Sequence, residues 1–504
     1  MDQRVKKNRF CLKGGTILTF DDQNSIFEDG EIWFEGNQII FVGSKGEFKN
    51  EGQAEIIDQR GKVICPGFIN AHTHSYSSLL KGSVECDPLD LYMLKVIATG
   101  SAMSPREIEI AATLDAASML LSGTTGVIDH FSERPNLSTK GLSAVRRGFE
   151  TAGIRATIAT MFADKPYIDT IPLNRDELPD EILAQYEAQS SPDIENYFSI
   201  MEKTVLENSE DRLTRVMLGV DGPQRCTEEL LQRTGEFQRR HHCGLHTHML
   251  ETKTQAVMAP DTQKGFVSHL LDLGLLDNFS SLVHFVWASE NDISAAKEAG
   301  VTVIHCPASN TMLGAGVSPI LRLREADIPV AFGTDGSNCG PPSLFETMRL
   351  GCFLMRLTDP NFEKWVRSEE ILKSNLSAGA RAMGWEGKIG VLKKGALADL
   401  ISLDLSGHWH EPYGDIISHL LYYETGQSVS DVWVNGQRVV NNRNLTSIDI
   451  NSVLEEAAEI RRKRQLSLSA DTLQRIELQY PAFKKMIVDT LEHDFPIERR
   501  MPLS

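Results

Sequence analysis

The sequence predicts an α/β chain built on a TIM (β/α)8 barrel, with a small β-sandwich assembled from both ends of the chain. Three observations carry this. Eight short apolar runs alternate with amphipathic segments through the middle of the chain, as βα units around a parallel sheet do. Strand-and-turn texture occurs in the first sixty residues and returns in residues 398–440, as separated pieces of one β domain would give. No Gly-x-Gly-x-x-Gly follows the first apolar run, which sets a dinucleotide-binding sheet aside.

In chain order, residues 15–20 and 31–43 alternate apolar and polar positions around Gly and Asn turns, which predicts β-hairpins. The barrel strands are expected at residues 63–70, 125–129, 156–161, 216–220, 244–248, 281–285, 301–305 and 330–334. Helical patterns at 104–121, 228–240, 290–299 and 341–354 connect them, and the stretch 163–214 is irregular. Residues 398–404 and 431–440 complete the sandwich, and from residue 451 the chain is charged and helical, free to pack on the body or on a neighbouring subunit. The expected division is 1–64 and 386–445 for the β-sandwich, 65–385 for the barrel, and 446–504 for a helical extension.

Bulk properties exclude several function classes. The chain has 504 residues and a formal net charge of −18, which argues against nucleic acid or an anionic membrane as a partner. The one basic run, Arg461-Arg462-Lys463-Arg464, reads as a solvated helix face. No apolar stretch approaches the roughly 20 residues that cross a bilayer, and no apolar segment follows the charged start. The eight cysteines are scattered without a Cys-x-x-Cys pair, as reduced thiols in a cytoplasmic protein would be.

In such a barrel the chemistry sits at the carboxyl ends of the strands. The first strand delivers His72 and His74, whose i, i+2 spacing points both imidazoles to one face. The fifth delivers His246 and His248 with Glu251 just beyond, the sixth His284, the seventh His305 and the eighth Asp335. Neutral imidazole and carboxylate are ligands for zinc and similar cations, so several strand ends supply metal-compatible groups at once.

The ordered set Pro66-Gly67-Phe68-Ile69-Asn70-Ala71-His72-Thr73-His74, His248-Met249-Leu250-Glu251-Thr252, His284, His305-Cys306-Pro307-Ala308-Ser309-Asn310 and Gly333-Thr334-Asp335-Gly336 resembles the amidohydrolase superfamily. Within it, the chain is most similar to the branch of adenosylhomocysteine and methylthioadenosine deaminases, triazine hydrolases and cytosine-deaminase-like enzymes. The resemblance spans residues 12–440. It implies that His72, His74, His248 and Asp335 hold one divalent metal, zinc or iron, and that Glu251, His284 and Asp335 are catalytic. His246 takes a structural place in this comparison. Residues 216–223 contain no lysine, so the bridging lysine of two-metal relatives has no counterpart there.

The chemistry implied is hydrolytic. A divalent ion brings the pKa of a bound water from about 15.7 toward 7. Asp335 can take that water's proton, His284 can stabilise the tetrahedral intermediate, and Glu251 can protonate a ring nitrogen and then the leaving group. This suits an amidine-like carbon, hence loss of ammonia from an aminated heterocycle or a guanidine-like ring. The same water could displace an alkylamine or halide, or open or close a cyclic amide or ureide; a non-catalytic binding or scaffold descendant is the reading from another class. The substrate expected is a small molecule, and the assembly a homodimer or higher homo-oligomer.

Substrate contacts are expected from Glu85, Asp221, Gln224 and Trp287. Asp221-Gly222-Pro223-Gln224-Arg225 stands where adenosine-type deaminases place a histidine, and Gly100-Ser101-Ala102-Met103-Ser104 stands where they carry a Trp-Pro-x-Glu-like region, which speaks against ribose recognition. Glu85, Asp87 and Asp90 are either a solvated loop or, with Asp221, a receptor for a guanidinium-like group. Trp287 and Phe285 are either core or a platform for a planar ring.

Overall fold

The computed structural model describes residues 9–49, 52–83, 85–99, 103–188, 192–259, 264–407, 410, 412–466 and 469–500. Two sheets organise it. The first contains β1 (Arg9–Leu18), β2 (Ile26–Glu35), β3 (Gln38–Ser44), β4 (Glu55–Asp58) and β5 (Lys62–Pro66) from the start of the chain. The barrel follows with β6 (Phe68–Thr73), β7 (Thr124–Phe131), β8 (Arg155–Phe162), β9 (Thr214–Val220), β10 (Leu245–Met249), β11 (Ser280–His284), β12 (Thr302–His305) and β13 (Val330–Phe332). The chain then returns to the first sheet with β14 (Leu400–Asp404), β15 (Val429–Val434), β16 (Gln437–Asn441) and β17 (Asn444–Leu445).

The first sheet runs β17-β16-β15-β14-β5-β1-β2-β3, with β4 paired parallel to β1, so its centre joins the two ends of the chain. Apolar side chains at alternate positions, Leu12, Ile32, Phe34, Ile64, Leu400 and Trp433 among them, meet in a core of their own. The barrel strands pair in parallel from β6 to β13 in sequence order. Closure is made by polar groups: the Asp335 N–H donates to the His72 carbonyl (3.0 Å), and the Asn70 side chain bonds both the backbone N–H (3.0 Å) and the hydroxyl (2.8 Å) of Thr334. Gly333 allows this approach, since a Cβ there would lie 2.7 Å from that of His72.

The apolar run 63–70 divides into two strands, contrary to the expected single one. Val63 to Pro66 belong to the first sheet, where Cys65 and Pro66 pair with Ile401 and Leu400; the barrel takes over at Phe68. Gly67 makes the turnover, its N–H donating to the Asp399 carbonyl (3.1 Å) while the Phe68 N–H reaches the Gly123 carbonyl (3.0 Å). A Cβ on Gly67 would fall 2.1 Å from the Thr125 side chain. Both strands are buried, so hydropathy carries no mark of the division.

Several other boundaries shift as well. The second barrel strand runs on to Phe131 and takes in His130. The helix expected at 341–354 occupies Leu344–Thr358, because the Ser343 side chain caps it at the Glu346 N–H.

The extension packs on the body. In helix Ala470–Glu492, Phe483 and Met486 join Leu91, Leu94, Ile168 and Ile171 in one cluster. In helix Ile450–Leu466, Ala457 and Ile460 cover Leu79 and Ile110. The Lys253 ammonium donates to the carbonyls of Leu491 (3.0 Å) and His493 (2.6 Å), tying the end of the chain to the loop after β10. Among the described residues, no helix is long and apolar enough to cross a membrane.

Candidate metal centre and active site

At the carboxyl ends of the barrel strands, His72, His74, His248 and Asp335 bring their donor atoms together. Asp335 Oδ1 lies 3.5 Å from His72 Nε2 and 3.4 Å from His74 Nε2, and His74 Nε2 lies 3.3 Å from His248 Nε2. The other nitrogen of each ring is already engaged. His74 Nδ1 donates to the His130 carbonyl (2.8 Å) and His248 Nδ1 to the Asp221 carbonyl (2.6 Å). Carbonyls only accept, so both neutral rings carry the proton on Nδ1 and a lone pair on Nε2. His72 Nδ1 meets His246 Nε2 at 2.8 Å, His246 Nδ1 meets Ser281 Oγ at 2.6 Å, and the serine hydroxyl donates to the Leu245 carbonyl (3.2 Å).

That arrangement fits a cation. Three imidazole lone pairs and a carboxylate converge on one point, and His72 Nε2 is buried without a hydrogen-bond partner. Such a set is costly to bury unless a positive charge sits among the lone pairs. His72, His74, His130 and His248 form one grouping of ligand atoms within 4.8 Å of one another, and His72, His284 and Asp335 form another.

The polypeptide is strained where it presents these groups. Leu250 (φ +49°), His284 (φ +71°), Phe285 (φ +52°) and Asp335 (φ +60°) all occupy the left-handed region, in which side chains with a Cβ are disfavoured. Beneath them, buried carboxylates hold the His-x-His turn. Asp129 accepts from the Ser75 N–H (2.9 Å) and hydroxyl (2.7 Å), and Asp115 accepts from Thr73 (3.3 Å) and Ser337 (2.7 Å). Burial pushes Asp129 up to about 7 and Asp115 up to about 6.

Glu251 and His284 stand next to the cluster. His284 Nε2 lies 3.7 Å from Glu251 Oε2 and 3.9 Å from Asp335 Oδ2, while its Nδ1 meets Asn310 Oδ1 at 2.9 Å. Burial pushes the Glu251 carboxyl up to about 8 and the His284 imidazole down to about 4. Burial also works to raise Asp335, but His72, His74 and His284 outweigh it and hold the carboxylate well below its usual range.

A cavity of about 90 Å³ opens on these groups, lined by His74, His248, Glu251, His284 and Asp335 and, toward the outside, by Asp221, Gln224, Arg225, Tyr76 and Arg134. The expected substrate residues therefore separate. Asp221 and Gln224 face the cavity. Glu85 is exposed and does not line it, and Trp287 is buried outside it, its indole N–H donating to the Ala315 carbonyl (2.8 Å) with Phe495 against the ring.

Among the described residues, Asp87 and Asp90 of the acidic loop, and Asp221, already have partners. Asp221 is ion-paired with Arg225, which outweighs burial and holds it well below the usual carboxylate range. Asp87 is paired with Lys95 at 2.5 Å, and Asp90 accepts from Tyr167 (2.8 Å) and Thr254 (3.0 Å). Gly100, Ser101 and Ala102 lie outside the described residues. His305 is buried in β12 against Phe332, apart from the two ligand groupings.

Two site residues escape the sequence reading. His130 lies among His72, His74, His246 and His248, with both ring nitrogens buried and unpartnered. It has no neighbour at i+2 to betray it; the signal available was its place at the end of the second strand. Arg134 follows in the next loop, where one basic residue in a polar stretch carries no pattern.

The fold and this site together define a barrel hydrolase of the metal-binding kind, and the comparisons agree. The chain belongs to the Amidohydrolase family, whose profile matches residues 63–439. It is similar to a 5-methylthioadenosine/S-adenosylhomocysteine deaminase of Syntrophobacter fumaroxidans, 29% identical with 90% of this chain and 97% of the relative aligned. Among solved structures it is similar in fold to an adenosine deaminase from Xanthomonas campestris with bound zinc (TM-score 0.80, 23% identity, 91% of this chain and 98% of that one). A mutant atrazine chlorohydrolase from Arthrobacter aurescens, complexed with zinc and atraton, is equally similar (TM-score 0.80, 23% identity, 90% of this chain and 100% of that one).

Proposed function

We propose that this protein is a metal-dependent hydrolase that removes an amino group, as ammonia, from a nitrogen heterocycle of the adenosine kind. The observation that carries this is the convergence of three imidazole Nε2 atoms and Asp335 beside a buried Glu251. The deaminase name of the similar S. fumaroxidans protein supports the choice of leaving group.

In this reading His72, His74, His248 and Asp335 hold one zinc ion; iron suits the same donors. Bound there, the ion supplies Lewis acidity that makes water a nucleophile at neutral pH. Glu251, kept protonated by burial, hands its proton to the ring nitrogen next to the amino-bearing carbon and makes that carbon electrophilic. Asp335 accepts the proton of the attacking water. His284, held neutral with its Nδ1–H on Asn310 Oδ1, keeps a lone pair on Nε2, from which it accepts a hydrogen bond from the attacking water and orients it; only after taking up a proton does it donate toward the developing oxyanion. Collapse of the tetrahedral intermediate, with a proton returned to nitrogen, releases ammonia. Asp221 and Gln224 face the substrate, with Asp221 acting chiefly to orient His248 and to anchor Arg225.

The reading includes a homo-oligomer in the cytoplasm. Exposed Phe353, Leu357, Phe362 and Tyr423 support the first, and free cysteines throughout the described residues support the second. Light scattering on the purified protein tests the assembly.

Ammonia release from zinc-loaded protein, measured over adenosine-type nucleosides, aminopyrimidines, pterins and aminotriazines, tests the activity. Turnover of an aminopurine is expected. His72→Ala is expected to lose both the metal and the turnover, and an unchanged metal content would remove the ligand assignment.

A further inference from the structure

Arg461, Arg464, Leu473 and Ile476 of the extension line a cavity of about 520 Å³ beside the catalytic one, and Arg134 lines both. The last residues of the extension do something different: they bond to the loops that carry the catalytic side chains.

Those loops need holding. Leu250, next to Glu251, and His284 and Phe285 keep left-handed backbone, which is costly and persists only where the surroundings enforce it. The two loops are stitched to one another, the Phe285 N–H donating to the Met249 carbonyl (3.0 Å) and the Trp287 N–H to the Leu250 carbonyl (2.8 Å). The Glu251 N–H donates to Gln255 Oε1 (2.8 Å), in the short helix Lys253–Val257 that opens just after it.

Lys253 is the first residue of that helix and is buried. Its ammonium donates to the carbonyls of Leu491 (3.0 Å) and His493 (2.6 Å), where helix Ala470–Glu492 ends. Carbonyls of a last helical turn lack partners within the helix and carry its negative end, so a buried cation finds its acceptors there. The same contact fixes the backbone two residues from Glu251. Among the described residues that line the catalytic cavity Glu251 and Gln255 appear and Lys253 does not, so any effect of the lysine on substrate passes through its neighbours.

Beyond the helix the chain holds the loop after β11. Phe495 lies 6.0 Å from the Trp287 ring between centroids, the Arg500 guanidinium lies 5.6 Å from the same ring, and Arg499 Nη2 donates to the Ala288 carbonyl (2.7 Å). The Val317 N–H, past helix Pro307–Met312, donates to the Arg499 carbonyl (2.8 Å).

We infer that residues 491–500 brace the catalytic loops, and that Lys253, where the brace meets the loop after β10, is a positioning residue for Glu251. The brace keeps the Glu251 carboxyl in line with the ring nitrogen it protonates, so its benefit falls on turnover rather than on binding of substrate or metal. This rests on the proton-transfer role of Glu251 in the deaminase reading.

Two readouts on the zinc-loaded full chain test it, and the first needs no substrate. Hydrogen exchange is followed by mass spectrometry on peptides covering residues 249–257 and 284–288. Lys253→Met is expected to speed exchange in both about tenfold, as local opening becomes easier. Arg499→Ala, a cut at the other end of the brace, should speed it in the second. Lys485→Ala removes exposed contacts of the same helix with Glu177 and Asp489 and should change neither. Unchanged exchange in Lys253→Met and Arg499→Ala, or an equal change in Lys485→Ala, overturns the brace. If Lys253→Met does not fold, Arg499→Ala carries both tests.

The second readout is ammonia release from an adenosine-type nucleoside. Lys253→Met should lower kcat by about 10- to 100-fold, with KM within about twofold and zinc retained. Lys253→Arg keeps a cation that can reach the same carbonyls and should restore most of the loss. In a Glu251→Gln background Lys253→Met should cost less than about twofold more, whereas a purely structural role would add its full loss there. Full additivity, or an unchanged kcat with faster exchange, overturns the positioning role and leaves the brace. Faster exchange in a protein that deaminates nothing overturns the deaminase reading, and with it the role of Lys253, while the brace stands.

Discussion

His246 Nε2 lies 2.8 Å from His72 Nδ1, and the far side of the His246 ring lies 2.6 Å from Ser281 Oγ. The relay Ser281–His246–His72 has one consistent proton arrangement that leaves a lone pair on His72 Nε2, the atom facing Asp335. His74 and His248 are set by backbone carbonyls, so His72 is the one member of the cluster whose tautomer depends on a side chain.

Replacing His246 should therefore weaken the metal rather than abolish its site. His246→Ala is expected to lower metal affinity by about 10- to 100-fold, the usual cost of losing an outer partner of a ligating histidine. Chelator competition measures it, and activity should return at saturating zinc. An unchanged affinity would make His246 a packing residue only.

Glu251→Gln separates proton transfer from metal binding. The amide keeps the shape but cannot donate an acidic proton, so turnover should fall by about 10²- to 10⁴-fold with metal content intact. Full activity with stoichiometric metal would remove Glu251 from the mechanism.

The two sheets are joined by a buried ion pair. Arg155 at the start of β8 donates through Nε to Asp399 Oδ2 at 2.6 Å and through Nη2 to Oδ1 at 3.1 Å, with the guanidinium 4.3 Å over the Trp385 ring. Asp399→Ala leaves that guanidinium buried without its counter-charge, so a loss of about 3–5 kcal/mol is expected. Chemical denaturation reads it; a loss below about 1 kcal/mol would class the pair with exposed ones.

The acid limb of stability should respond to Asp431. Burial works to raise this carboxyl, but Lys62, Arg438 and Ser430 outweigh it and hold it at about 2, below the ordinary 3.8. A folded-state pKa below the unfolded one contributes stability that is present above pH 3.8 and lost as pH falls through 2. Asp431→Asn should cost about 2 kcal/mol at neutral pH and flatten the stability profile between those limits. Parallel acid denaturation curves for the two proteins would contradict this.

Much of the site was legible along the chain. Strands are local, their ends follow from hydropathy, and a parallel barrel gathers carboxyl ends at one face; the strand-end residues His72, His74, His248, His284 and Asp335 are therefore expected together from the chain alone. What stayed hidden was partnership. Asp221 reads as an available carboxylate until Arg225 is found on it, and Trp287 reads as a platform until the Ala315 carbonyl and Phe495 are found around it. Glu85 reads as a pocket acid until it is found exposed and outside the cavity lining.

The sequence by itself determined the element types, the barrel order and the metal-compatible groups, because each depends on residues within a few positions of one another. Tertiary structure alone decided three other matters. Gly67 divides one apolar run between two sheets, through bonds to Asp399 and Gly123 far along the chain. His130 joins the cluster through the curvature that brings β7 against its neighbours. Arg461 comes to line the same cavity as Arg134 because the extension folds back on the barrel, some 330 residues after the loop that carries Arg134. Local propensity cannot encode such contacts, since they arise from packing between segments whose separation in sequence is unrelated to their distance in space.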